Sequence, residues 1–96
     1  MELLVTYDVA TSESDGAKRL RHVAKACEAY GQRVQKSVFE CTLTRAQLEQ
    51  LTDRLEQIID EKCDTLRIYR LPSARDQSIR VIGKALSHDL HDPLIV

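Results

Sequence analysis

The stretch Leu3-Leu4-Val5-Thr6-Tyr7-Asp8 decides the fold. Apolar, β-branched and aromatic side chains pack well on a pleated surface, so these residues read as a buried strand. It is the first element of the sequence. It delivers Asp8 to its C-terminal end, ahead of the polar run Thr11-Ser12-Glu13-Ser14-Asp15-Gly16. A carboxylate at the rim of a sheet is costly unless it is solvated, paired or bound to a cation. The residues leave two readings of Asp8 open. It stops the strand and caps the loop, a common role for Asp, or it holds a cation.

Outward from this strand, Ser14 or Asp15 is placed to cap a helix. The helix carries Leu20, Val23, Ala24 and Cys27 on one stripe, with Lys18, Arg21 and Lys25 on the other side. Gly31 is placed to end it in a left-handed turn. The segment from Gln32 to Leu43 is strand material whose phase changes: Val34 and Val38 share one alternation, Phe39, Cys41 and Leu43 the other. A half-buried strand does not change phase, so a bulge or a break into two strands is expected around Lys36-Ser37-Val38. Thr44 and Gln47 form a capping box, and Leu48, Leu51, Leu55, Ile58 and Ile59 follow at helical steps. Asp64 to Leu71 alternates as a strand closed by Pro72, and Ser78 to Ile82 reads as one more short strand. The order is βαββαβ plus one. It predicts an α+β, ferredoxin-like domain over residues 1–96, with an additional C-terminal strand and residues 85–96 as a tail. Its two helices lie on one face of an antiparallel sheet. The other face then needs a cover, and a homodimer is the simplest source.

Composition narrows the function classes. At 96 residues, 43% hydrophobic and 30% charged, the chain suits one small globular domain rather than a disordered segment. No apolar run is long enough to span a bilayer, and Met1-Glu2-Leu3 lacks the features of an export signal. The cysteines Cys27, Cys41 and Cys63 are odd in number and have no close pairing. They read as reduced, partly buried thiols of a cytoplasmic protein. The net charge of −1 is uninformative, but its distribution is not. Lys18, Arg19, Arg21, Lys25, Arg33, Lys36 and Arg45 face only Glu28 and Glu40 within their segment, while acidic residues gather from Glu49 to Asp64. Such a patch holds a polyanion or is an ordinary solvated face.

Several segments together resemble a known family. Tyr7-Asp8, Arg19-Leu20-Arg21, Tyr30-Gly31, Arg33-Val34-Gln35-Lys36-Ser37-Val38-Phe39-Glu40 and Leu66-Arg67-Ile68-Tyr69 are similar to the smaller of the two core CRISPR spacer-acquisition proteins. That family is also described as CRISPR-associated endoribonucleases. The resemblance covers nearly the whole chain. It implies a homodimer with facing sheets, in which two copies of Asp8 near the axis hold a divalent metal, usually Mg2+. It also implies metal-dependent phosphodiester cleavage of RNA or DNA, with Tyr7, Asp8, Arg19, Arg21, Arg33 and Phe39 matching residues implicated in the activity. Other members resemble non-catalytic centres that bind DNA and bridge the larger acquisition protein, an integrase subunit.

The chemistry can be weighed separately. Magnesium prefers hard oxygen ligands and keeps several waters, so two carboxylates suffice. Two facing Asp8 side chains repel each other, and a cation resolves the conflict. Arg19, Arg21 and Arg33 offer forked donors to phosphate, and Lys18, Lys25 and Lys36 add charge. Tyr7 and Phe39 are candidates to stack on bases or to pack in the core or an interface. His88, Asp89, His91 and Asp92 have a spacing that suits a metal cluster or a solvated tail. The matched segments contain no histidine and, apart from Glu40, no carboxylate beside Asp8 to serve as general base.

Overall fold

In the computed structural model of the chain, residues 1–12 and 14–84 are described; Glu13 and the expected tail, with His88 and His91, lie outside the described residues. Seven elements follow one another: β1 (Glu2–Asp8), α1 (Gly16–Glu28), β2 (Gly31–Gln35), β3 (Val38–Thr42), α2 (Arg45–Ile58), β4 (Thr65–Arg70) and the short α3 (Arg75–Ser78). The strands form one antiparallel sheet in the order β2-β3-β1-β4, so β1 is central, paired with β3 on one side and β4 on the other. This is the expected α+β, ferredoxin-like arrangement.

Strand period explains the two faces. Leu3, Val5 and Tyr7 of β1 and Phe39 and Cys41 of β3 are buried, and they share one core with Val23, Ala26 and Cys27 of α1 and Leu51 and Leu55 of α2. Both helices therefore pack on that face. The alternate residues Glu2, Leu4, Thr6 and Asp8 point to the other face, which no helix covers along β1. Burial pushes the Cys27 thiol up to about 12 and the Cys41 thiol up to about 11, so both stay protonated core residues. Cys63 is exposed.

α2 starts as its sequence dictates. Thr44 Oγ1 accepts the Gln47 amide at 3.2 Å, and Gln47 Oε1 accepts the Thr44 amide at 2.9 Å. The phase change in the middle segment has both anticipated causes. The chain breaks between Gln35 and Val38, and the register shifts between Arg33, opposite Phe39, and Gln35, opposite Val38. An extra residue on β2 at Val34 is a bulge.

Three expectations are corrected. Gly31 does not end α1 in a left-handed turn: the helix closes through Ala29 in ordinary helical geometry, and Gly31 is the first residue of β2. Glycine is needed there because β2 approaches β3 closely; a Cβ would meet the Cys41 sulfur and come within 2.5 Å of the Glu40 carbonyl oxygen. At the start of α1, Asp15 occupies the cap position, but its side chain makes no capping bond. The strand expected over Ser78–Ile82 does not form in the single chain. Ser78 closes α3, held by its amide to the Ala74 carbonyl at 2.9 Å, and 79–82 pair with no strand. Val81 and Ile82 are 69% and 84% exposed, so the stretch expected as a strand leaves these apolar side chains in solvent in the single chain.

Candidate functional site

Asp8 is the last residue of β1, opposite Thr65 at the beginning of β4. Its neighbours Tyr7 and Val9 are buried on the helix side, so its carboxylate stands exposed at the rim of the uncovered face. Beside it runs a groove of about 550 Å³, lined by Tyr7, Asp8, Val9 and Leu20 on one side and by Arg33 to Ser37 on the other. The groove is open to solvent at the end of the sheet. Its lining includes one carboxylate, Asp8, and two exposed cations, Arg33 and Lys36.

Two predicted site residues are core residues. Tyr7 is 6% exposed; its hydroxyl donates to the Lys36 carbonyl at 3.2 Å and its amide to the Ser37 carbonyl at 3.1 Å. Tyr7 thus pins the β2–β3 turn across the groove. Phe39 has no exposed surface and stacks on Tyr7 with ring centroids 6.2 Å apart, so it is not presented to a base. Arg33 lies over the Phe39 ring, its guanidinium carbon 5.2 Å from the centroid, with its Nη1 3.9 Å from Glu28 Oε1. Core packing, not stacking on nucleic acid, is the role the geometry gives Tyr7 and Phe39.

The cations separate into three groups. Arg33 and Lys36 share the groove with Asp8. Lys18, Arg21 and Lys25 are exposed on the solvent side of α1, across the sheet from the uncovered face, and the fold does not bring them to Asp8. Arg19 points inward and is not part of a free basic surface. Its Nε donates to Asp64 Oδ2 at 2.9 Å and its Nη2 to the Ala10 carbonyl at 3.3 Å.

Asp64 is the residue that sequence reasoning missed. It is 5% exposed and accepts the Ala10 amide at 3.0 Å and the Asp60 amide at 2.8 Å in addition to Arg19. Burial disfavours its charge most strongly of any single influence. The Arg19 guanidinium and the two amides together outweigh it, holding the carboxyl at about 2, below its ordinary 3.8. A signal was present. Asp64 lies in phase with Leu66 and Ile68 on the buried side of β4, and Arg19 lies one turn before Val23 on the buried side of α1. Two opposite charges on two inward faces imply a pair.

A second network lies on the uncovered face. Arg75 reaches from α3 to Glu2 Oε1 at 3.2 Å and Glu40 Oε1 at 3.3 Å, and Thr42 donates to Glu2 at 2.8 Å. Farther along, Arg67 donates to the Tyr69 hydroxyl at 3.0 Å, and Tyr69 is 43% exposed.

The donor set for a metal is small. Among the described residues of one chain, no three His, Cys, Asp or Glu side chains gather into a cluster. One exposed carboxylate fits a magnesium ion that keeps most of its waters, and fits it better when a second copy supplies another.

The chain was compared with known proteins. The sequence model of the family CRISPR associated protein Cas2 matches residues 1–79. A CRISPR-associated endoribonuclease Cas2 1 of Moorella thermoacetica is 53% identical over 96 residues, covering 100% of both chains. A CRISPR-associated endonuclease Cas2 of Halalkalibacterium halodurans is 55% identical over 95 residues, covering 99% of each. The crystal structure of Streptococcus pyogenes Cas2 superposes with a TM-score of 0.77 at 53% identity, covering 86% of this chain and 100% of that one. With the strand order and the position of Asp8 already in place, these matches establish that the chain belongs to the CRISPR associated protein Cas2 family.

Proposed function

We propose that the chain is a nuclease of CRISPR adaptive immunity, active in spacer acquisition, which cleaves phosphodiester bonds of RNA or DNA in a Mg2+-dependent reaction. The carrying observation is Asp8: an exposed carboxylate at the end of the central strand, on the sheet face that no helix covers along β1. The names of the two relatives, an endoribonuclease and an endonuclease, support the reaction class. No helix among the described residues is long and apolar enough to cross a membrane, which agrees with work in the cytoplasm.

The working form is a homodimer joined through the uncovered faces, with the two Asp8 side chains across its axis. Exposed Tyr69 supports this, since it stands opposite Leu4 of β1 on that face, and the exposed Val81 and Ile82 add apolar surface without a partner in the single chain. The two Asp8 carboxylates would hold a divalent cation, which when bound would supply charge neutralisation at a phosphate and a more acidic water. The chain's own residues do the rest. Arg33 and Lys36 draw the backbone of the nucleic acid along the groove, and Arg33 is braced against Phe39 and Glu28. Tyr7, through the Lys36 and Ser37 carbonyls, keeps the turn that carries Lys36 in place. Lys18, Arg21 and Lys25 extend the positive surface over α1. The larger acquisition protein is the expected partner of this dimer.

The test is cleavage of single-stranded RNA and double-stranded DNA, with and without Mg2+, by wild type and by Asp8→Asn. Mg2+-dependent cleavage that Asp8→Asn abolishes in a folded dimer supports the reading. Wild type that binds nucleic acid but never cleaves it replaces the enzyme with a dimeric DNA-binding bridge.

A further inference from the structure

We infer that Arg19 and Asp64 are positioning residues for the Asp8 site: together they grip both backbone groups of Ala10 and thereby set where β1 ends and where the Asp8 carboxylate stands. This rests on the proposed role of Asp8, and it gives Arg19 a task other than phosphate binding.

Among the described residues, the Asp8 side chain makes no hydrogen bond or ion pair. An exposed carboxylate at a strand end samples several directions unless the backbone beneath it is fixed. Two residues on, Ala10 is fixed on both sides. Its amide donates to Asp64 Oδ1 at 3.0 Å, and its carbonyl accepts Arg19 Nη2 at 3.3 Å. Gly16 closes a third side: a Cβ there would collide with the Ala10 carbonyl oxygen and stand 2.6 Å from Thr11 Cα. Between Asp8 and Ala10, Val9 is 7% exposed and anchored in the core. The strand end is therefore held from Tyr7 to Ala10, with only the Asp8 side chain left outward.

The grip also fixes the strand opposite. Asp64 directly precedes Thr65, the residue paired with Asp8, and its Oδ2 holds the Asp60 amide at the turn leading into β4. One buried ion pair thus ties the end of β1, the beginning of β4 and the first turn of α1. Arg19 Nε lies 2.9 Å from Asp64 and its side chain is 13% exposed, so its Nε and Nη2 donors are committed within the fold. A catalytic carboxylate gains from such a frame, because displacements of about 1 Å at a reacting centre cost on the order of a hundredfold in rate.

The experiment uses full-length wild type, Asp64→Asn and Arg19→Lys, assayed at 25 °C. Lysine keeps the charge opposite Asp64 but cannot also reach the Ala10 carbonyl. Four readouts are taken: amide hydrogen exchange at Ala10, Mn2+ affinity, cleavage kinetics, and nucleic-acid affinity across salt. Positioning predicts that both variants exchange Ala10 faster, bind Mn2+ more weakly, and lose kcat by about tenfold or more with KM unchanged. Their nucleic-acid affinity and its salt slope stay at wild-type values. A rise in KM with a salt slope smaller by about one identifies Arg19 as a phosphate contact and overturns the inference. So does wild-type kcat and Mn2+ affinity in either folded variant. If wild type binds Mn2+ through Asp8 yet cleaves nothing, the nuclease reading fails. The inference is then decided by the Mn2+ affinities alone.

Discussion

Asp64→Asn is the perturbation whose size the structure sets most directly. The side chain keeps its shape and loses its charge, leaving Arg19 without its ionic partner and forcing an amide NH2 towards the Ala10 or Asp60 N–H. A carboxyl held at about 2 rather than 3.8 is worth about 2 kcal/mol once solvent at the Arg19 end is allowed for. A domain of this size melts lower by roughly 4–8 °C per kcal/mol, so a drop of roughly 8–16 °C is expected near neutral pH. The sign of the pH dependence follows from the depressed pKa. The contribution is fully present above the unfolded value of 3.8 and is lost as pH falls towards about 2. The gap between wild type and variant is therefore constant from about pH 7 to pH 5 and narrows below about pH 4. Thermal melts by circular dichroism across that range read it. A variant within about 2 °C of wild type at neutral pH, or a gap that does not narrow in acid, refutes the strength assigned to the pair.

Asp8→Asn is expected to leave the fold intact and to raise the melting temperature slightly in the dimer, because it removes two facing charges; a lowered melting temperature points instead to a capping role. Lys36→Ala weakens binding to single-stranded and duplex substrates alike and reduces the salt slope by about one, measured by titration at several salt concentrations; unchanged binding removes Lys36 from the interface. Gly31→Ala forces β2 away from the Cys41 sulfur and the Glu40 carbonyl and lowers stability by about 1–3 kcal/mol in urea unfolding; a neutral result shows that the edge strand yields freely. Sedimentation equilibrium at micromolar concentration is expected to show a dimer that weakens when residues after Leu71 are deleted. A monomer at every concentration contradicts the joining of uncovered faces.

Local chemistry governed what the sequence revealed. β1 was legible because its residues suit strand and its alternation places Leu3, Val5 and Tyr7 inside together. α2 was legible because Thr44 and Gln47 cap it and Leu51 and Leu55 repeat at one turn. The break after Gln35 is legible as a change of phase in the sequence. Gly31 does not have the expected role: a glycine directly after a helical stripe usually signals a turn. Here it answers a contact with Cys41 that lies across the sheet and is invisible in local sequence. Ser78 to Ile82 reads as a short strand from its β-branched residues, but α3 claims Ser78, and the exposed Val81 and Ile82 have no ladder in a single chain. In the site, Asp8 was found from its place at a strand end, whereas Asp64 was passed over as a mere strand beginning. Arg19 was counted by charge with Lys18 and Arg21, although its helical phase with Val23 turns it inward to Asp64. Charge counts along a sequence cannot separate a cation facing solvent from one facing a buried carboxylate; helical and strand phase can.

Subunit mixing tests most directly whether the active centre is built from two copies of Asp8. Wild type is exchanged with increasing proportions of Asp8→Asn, and Mg2+-dependent cleavage is measured at constant total protein. If both carboxylates are needed, activity falls as the square of the wild-type fraction, because mixed dimers are inactive. A linear fall, or cleavage that persists in pure Asp8→Asn, contradicts the shared Asp8 centre.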